Sequence, residues 1–353
     1  MYEYAGHMHI HSTHSDGSGS IKEIAEAARK ASLDFVIITD HNNLGGRVAG
    51  EEGYHGGVLV LVGLELEVQG RGEHCLVLGL QDIPPATPSA DKFLAQIRDR
   101  GGASFLAHPY ELGSPILYKG RAFVWNPVPD EGFDGLEIWN YSSRWRDGCH
   151  NFPQAFLRYY LKRPGLALEP CPLTLEKWDL MTRKRPVSAV GGSDAHAIHL
   201  KLGPLRPVIF PYEDLFRGVN MHLYLREPLS SSFDAAEKQV VEALRRGSSF
   251  VAYDGFVSSR GFTCSLTHEG KEYLPGEGVP RASGGIIRAE APTRRCRLAV
   301  IQSGREVFTT SGPRLTYPVK EPGPYRLEAA LKPSLGRHRP WIYTNPFYVG
   351  GPY

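Results

Sequence analysis

The chain has 353 residues, 41% hydrophobic and 22% charged, with 40 basic against 38 acidic side chains and a formal charge of +2. That composition excludes a disordered or low-complexity chain, and the length exceeds what one ordinary core fills, so two domains are expected. No apolar run approaches the roughly eighteen residues of a membrane-spanning helix, and the opening "MYEYAGHMHIHS" has neither the basic nor the apolar segment of a secretory leader.

Five scattered cysteines (Cys75, Cys149, Cys171, Cys264, Cys296) without a CxxC pair imply reduced thiols, and a cytoplasmic location is expected. The charge is uneven. From Phe256 onward stand 14 basic and 7 acidic residues, +7, against 26 basic and 31 acidic before it, −5. Twelve of the 14 histidines also precede Phe256. An acidic, histidine-rich first part suits metal ligands. The basic last part would suit nucleic acid, but a surplus spread over short strands reads as a solvated surface, and nucleic acid is not expected as a partner.

In chain order, "HMHIH" reads as a first strand, followed by a loop and then "SIKEIAEAARKAS" (Ser20–Ser32), with Ile21, Ile24, Ala25, Ala28 and Ala31 at helical spacing. Ser20 with Glu23 forms a capping box at its start. "DFVIITDH" (Asp34–His41) is a continuous β-branched run, a strand buried on both faces. Further strands are expected at Val58–Val68, His74–Leu80, Ala103–Pro109, Gly135–Asn140 and Val187–His196, with a helix at Ser89–Gly102 ending in glycines. Trp145–Met181, rich in aromatics and prolines, reads as a helical and loop insertion, and Asp234–Ser248 as an amphipathic closing helix. This alternation predicts a parallel α/β sheet or barrel. Beyond about Tyr253–Ser259, short strands between Gly/Pro turns predict a small all-β sandwich. The division is therefore 1–255 and 256–353.

Histidines and carboxylates gather where these strands end. His9 and His11 are two apart, so strand alternation puts both on one face. Asp40–His41, Glu65, His108, Glu137, and Asp194 with His196 stand at or just past strand ends, the side on which α/β barrels build their active sites. His74 starts its strand, so it belongs to a strand running the other way or to a loop. Each piece alone has an ordinary explanation: a capped turn, a surface ion pair. The joint alignment with strand ends does not. Imidazole with carboxylate, and no thiolate, suits Zn, Mn or Fe.

"GHMHIHSTHSDGS", "TDHN", "GLELE", a histidine opening "HCLVLG", "AHP" and "GGSDAH", in this order, resemble the polymerase and histidinol phosphatase (PHP) family over about residues 1–225. The resemblance implies a distorted (β/α)7 TIM-like barrel with two or three divalent ions (Mn, Fe or Zn) in its mouth. The layout with a β domain behind it is similar to the metallohydrolase branch that includes a carbamate hydrolase. It implies that His9, His11, Glu65 and Asp194 hold one metal, that Glu65 bridges to a second completed by His74 and His108, and that Asp16, His41 and His196 hold a third. Asp40 would orient His41, and Gly17 and Gly19 would let the loop to Asp16 turn tightly. His7 and His14 match no ligand position.

The expected activity is hydrolysis of a small phosphorylated substrate by a metal-bridging hydroxide, with Glu65, Asp194 and His196 carrying the chemistry. Cations to receive the phosphate are sought at Arg144, Lys201, Arg206 and Arg47, with Tyr110 and Asn140 as further lining. A second reading is a carboxyl ester or carbamate hydrolase on the same site, favoured if the pocket is poor in cations and rich in Trp139, Tyr141 and Trp145. A third is a binding module using Arg294, Arg295 and Arg297, though these enter a strand, where a solvated edge is the plainer account. No membrane partner is expected. Oligomeric state is left open by the sequence.

Overall fold

The computed structural model describes residues 1–160, 169–199, 208–280, 285–333 and 337–351. The first part contains strands β1 (Tyr2–Ile10), β2 (Phe35–Ile38), β3 (Gly53–His55), β4 (Val58–Val62), β5 (Leu64–Glu67), β6 (His74–Leu78), β7 (Ala103–Leu106), β8 (Gly135–Asn140), β9 (Ser188–Gly192), β10 (Ile198–His199), β11 (Val208–Ile209), β12 (Val219–Leu225) and β13 (Ser249–Tyr253). Its helices are α1 (Ile21–Lys30), α2 (Gly45–Val48), α3 (Ala90–Asp99), α4 (Tyr141–Asp147), α5 (Phe152–Tyr160), α6 (Pro172–Thr182), α7 (Tyr212–Leu215) and α8 (Phe233–Arg246). The capping box at α1 is formed in both directions, Ser20 receiving the Glu23 amide and Glu23 receiving the Ser20 amide. Helix α8 ends on Gly247 in the left-handed conformation (φ 76°), a backbone state glycine adopts without a Cβ penalty.

The segment Val58–Val68, expected as one strand, is two. It breaks at Gly63, where a Cβ would stand 2.7 Å from the carbonyl oxygen of Val77, so only glycine lets the chain pass. On one side β4 pairs in parallel with β2. On the other β5 pairs antiparallel with β6. The result is two sheets. One runs β3-β4-β2-β1-β12-β13, and the other runs β5-β6-β7-β8-β9. They touch through isolated bridges at Ile10–Ala195 and His41–Glu65. A closed, all-parallel TIM-like barrel is therefore not what the hydrogen bonding forms. The break at Gly63 and the reversed strand β6 interrupt the parallel repeat.

Beyond Tyr253 lie β14 (Thr263–His268), β15 (Lys271–Tyr273), β16 (Gly278–Val279), β17 (Ile286–Glu290), β18 (Cys296–Gln302), β19 (Arg305–Ser311), β20 (Arg314–Pro318), β21 (Gly323–Leu331), β22 (Arg339–Thr344) and β23 (Phe347–Val349). Strands β14, β15, β17 and β20 make one layer. The other layer (β16, β18, β19, β21, β22 and β23) joins the first part directly, because β22 pairs with β13. Between the layers sits a second core including Phe262, Ile287, Val300, Tyr325, Trp341 and Phe347. All five cysteines are free. Among the described residues no helix is long and apolar enough to cross a membrane.

Candidate metal centre

Strand β1 carries the first two histidines, but not by simple alternation. Its pairing with β2 slips between Met8 and Ile10, and His9 has φ 63°. This bulge re-aims the strand end so that His9 and His11 converge. Gly192 on β9 is what admits the bulge: a Cβ there would overlap the Met8 carbonyl and come within 2.9 Å of His9 Cβ. Asp194 (φ 56°) and His108 (φ 30°) also have left-handed backbones. Strain of about 1–3 kcal/mol at such residues persists only where the surroundings hold it, and it gathers at working sites.

His11 Nε2 stands 3.1 Å from both Glu65 Oε2 and Asp194 Oδ1. His9 Nε2 is 3.3 Å from Glu65 Oε2 and 3.5 Å from Asp194 Oδ1. The second Glu65 oxygen, Oε1, faces His74 Nδ1 at 2.8 Å and His108 Nε2 at 3.3 Å. His74 opens β6, which runs antiparallel to β5, so its start lies at the end of the cleft where the other strands finish. His41 Nδ1 approaches Glu65 Oε2 at 3.3 Å, and Asp16 lies 3.2 Å from His196 Nε2 and 3.8 Å from His41 Nε2. Seven of the nine residues singled out in the sequence line one cleft of about 280 Å³, and the other two, His9 and His11, are buried against its Glu65 and Asp194.

The donor set fits divalent cations. His9 Nε2, both nitrogens of His11 and Glu65 Oε2 are buried without a hydrogen-bond partner. Orphaned polar atoms in the interior are costly unless something else satisfies them. They fall into three groupings of suitable spacing: His9, His11, Glu65 and Asp194; His41, Glu65 and His74; and His11, Asp16, His41 and His196. His108 stands outside these groupings although it touches Glu65. His41 takes the corresponding place beside Glu65 and His74.

Charge accumulates accordingly. Burial opposes charging His11, but Asp194 and Glu65 beside it outweigh burial and push it up to about 9. Burial likewise opposes His9, and Glu137, Glu65 and Asp194 raise it well above its usual range. Glu65 and Asp194 are held well below the usual carboxylate range; burial works against this and the surrounding histidines prevail. Protons thus occupy positions where a cation would compensate the same carboxylates.

Second partners fix which nitrogen each histidine presents. His9 Nδ1 donates to Glu137 Oε1 at 2.8 Å. His108 Nδ1 donates to the Phe123 carbonyl at 2.9 Å, and His196 Nδ1 to the Asp194 carbonyl at 3.0 Å. In all three, Nε2 is left facing the cleft. Glu137 also accepts from the His108 amide and from Asn140 Nδ2. Asp40 does not orient His41. It accepts from the Ser12 amide (2.7 Å), Ser12 Oγ (2.7 Å) and Ser15 Oγ (2.5 Å), so it holds the loop that delivers Asp16. In that loop a Cβ on Gly17 would overlap the His11 carbonyl. His7 is buried and held down to about 4 by burial, despite its bond to Asn220, and it supports Ser193 at 2.6 Å. His14 is a partly exposed partner of Glu51.

Arg47 and Arg144, sought as cations for phosphate, do not line the cleft. Arg47 is spent on Glu52 and Glu237. Arg144 pairs with Asp147 at 2.8 Å and donates to the Glu169 carbonyl. Lys201 and Arg206 lie outside the described residues. Asn140 caps α4 through the Ser143 amide, and Tyr110 borders a small separate void beside Cys171. Trp139 is core, packed on Tyr253 and Tyr343. Arg146, two positions from the expected arginine, does line the cleft. It is paired with Glu111 and lies over the rings of Tyr118 (4.9 Å) and Phe123 (5.5 Å). The sequence signal that could have found it is only its place in the short helix that follows the β8 end.

Buried imidazoles and carboxylates converging from the ends of several strands are the chemistry of a metal-binding centre. A PHP domain model matches residues 7–107. The chain is 34% identical over 203 residues to the phosphoribosyl 1,2-cyclic phosphate 1,2-diphosphodiesterase of Eggerthella lenta, an alignment covering 49% of this chain and 76% of that protein. It is 30% identical over 159 residues to an uncharacterised protein of Methanocaldococcus jannaschii, covering 41% and 85% respectively. A two-domain protein of Bacteroides vulgatus, described as containing a predicted PHP-like metal-dependent phosphoesterase, is 14% identical with a TM-score of 0.46, covering 98% of this chain and 95% of that one. The chain belongs to the PHP domain family.

Proposed function

We propose that this protein is a metal-dependent phosphoesterase acting on a small phosphorylated molecule, with a metallohydrolase part over about 1–255 and a β domain after it. The observation that carries this reading is Glu65, whose two oxygens face separate histidine sets across one cleft. Two or three divalent ions (Mn, Fe or Zn) would be held by the groupings above, and would supply acidified water and charge neutralisation at phosphate oxygens. The resemblance to a cyclic phosphate diphosphodiesterase supports phosphorus as the centre attacked. The free thiols are in keeping with a cytoplasmic location.

The chain's own groups have distinct tasks. His9, His11 and Asp194 define the buried side of the cleft, while Asp16 and His196 define the open side. Arg146 reaches the same cleft and, beside its pairing with Glu111, is placed to hold a phosphate oxygen. Where the Asp16 side holds no cation, His196 Nε2 faces the cleft and supplies a proton to the leaving oxygen.

The chamber beside the cleft gives a specific reason to keep the carbonyl reading. It is mostly apolar, with six aromatic rings, and Arg146 is its one Arg or Lys among the described residues. Turnover of an aryl phosphate, an aryl phosphodiester and an aryl carboxyl ester by the metal-reconstituted protein separates the two. Phosphate ester turnover supports the main reading. Carboxyl ester turnover alone moves the assignment to the second.

A further inference from the structure

A second cavity, about 610 Å³, opens from the Asp194 and His196 edge of the cleft. Its walls come from segments far apart in sequence: Tyr118, Trp145, Phe152, Phe156, Tyr159 and Phe210. Trp145 meets Phe210 edge-on at 4.9 Å and Tyr159 meets it at 5.3 Å, so the rings form a connected lining. Phe152 and Phe156 stand one turn apart on α5, so both rings fall on the same wall of the cavity. Tyr118, Arg146, Asp194 and His196 line both this chamber and the metal cleft, which makes the two continuous.

We propose that the chamber receives the organic part of the substrate, and that this part is an apolar, ring-bearing group rather than a sugar or a polyol. The inference rests on the phosphoesterase reading for the anionic end of the molecule. A phosphate fills only a small part of the combined space, and the volume matches the few hundred cubic ångströms of a pocket for a drug-sized ligand. A polyol would need hydrogen-bond partners along its length, because each unpaired hydroxyl pays for its desolvation. Ser142, Arg146, Asp194 and His196, with the tyrosine hydroxyls and the buried Trp145 indole N–H, are the polar groups in the described lining, and the first four lie toward the cleft end. The far walls offer ring faces and edges between aliphatic side chains such as Ile198, Ile209 and Leu215, and the rings favour an aromatic occupant by offset or edge-on stacking. The occupant thus lies with its phosphate toward Arg146 and the metal centre and its ring among Trp145, Phe156 and Phe210.

The test is binding to the metal-loaded protein, measured by calorimetry with 1-naphthylphosphonate and with methylphosphonate, neither of which can be hydrolysed at the ester position. Naphthylphosphonate is expected to bind roughly 30-fold more tightly, the gain from burying one ring system. Phe156→Ser, on an exposed helix face, and Phe210→Ala are each expected to remove about fivefold or more of that preference and to leave methylphosphonate affinity unchanged. Equal affinity for the two probes, or a preference untouched by both variants, overturns the proposal. A preference that persists in a protein that hydrolyses no phosphate ester keeps the chamber assignment and overturns the phosphoesterase reading instead.

Discussion

His9 Nδ1 and Glu137 Oε1 lie 2.8 Å apart with both side chains fully buried, joining the first strand of the chain to a strand 128 positions later. The bond decides which ring nitrogen of His9 faces the metal cleft. Glu137 is therefore a positioning residue. Glu137→Gln is expected to weaken metal affinity about tenfold to a hundredfold, the usual effect of removing such a partner. Metal titration followed by calorimetry reads this directly, and an unchanged circular dichroism spectrum would show that the fold is retained.

Arg146 and Arg144 give a paired comparison. Arg146→Ala is expected to raise KM for a phosphate ester about tenfold or more, as loss of a charge-assisted contact costs around 1.5–3 kcal/mol. Arg144→Ala removes a guanidinium already committed to Asp147 and is expected to leave KM within about twofold, because partly exposed pairs contribute little. Steady-state kinetics on both variants checks the assignment. Equal effects would contradict it.

Much of the centre is legible in the sequence because its side chains stand in short motifs at strand ends: "HMHIH", "TDH", "GLE", "AHP" and "GSDAH" each bring one or two of them. What could not be read there is set by contacts between distant segments. The bulge at His9 depends on Gly192. The splitting of Val58–Val68 depends on how closely Gly63 passes Val77. Asp40 sits next to His41 in sequence, yet its hydrogen bonds go to Ser12 and Ser15. Arg144 and Arg146 are two apart on one helix, and helical rotation alone turns one to the cleft and the other away. The aromatic chamber draws on residues from 118 to 210, a range in which no local pattern marks a common wall.

Gly192→Ala tests the bulge. The added Cβ would collide with the Met8 carbonyl and crowd His9. The expected cost is about 1–3 kcal/mol, as for other overpacked interior sites. Denaturant unfolding measures it, and metal affinity is expected to fall in the same variant because His9 must move.

His222 provides a pH signature away from the metal centre. It lies between Glu3 (2.7 Å) and Asp254 (3.0 Å), with Ser259 also on its Nε2. Burial opposes its charge, but Asp254 and Glu3 raise it to about 9. A histidine raised on folding stabilises fully below its unfolded value of about 6.5 and loses that contribution as pH climbs through the folded value. Stability is therefore expected to decline between about pH 6.5 and pH 9, by on the order of 2–3 kcal/mol. His222→Gln is expected to shrink the alkaline slope in urea midpoints by that amount, leaving the share carried by His9 and His11. A slope of the same size in the variant would assign it to other groups.

Metal content per chain, measured beside aryl phosphate hydrolysis in the wild type and in Glu65→Gln, is the sharpest test of a metal-dependent phosphoesterase built around Glu65. Glu65 is the carboxylate shared between the histidine sets. The wild type is expected to carry two to three divalent ions and to turn over the phosphate ester. Glu65→Gln is expected to lose at least one ion and about a hundredfold or more of turnover, as when a group stabilising the transition state is removed. A wild type that binds no metal even after reconstitution with Mn, or a Glu65→Gln protein with full metal content and full turnover, would contradict this reading.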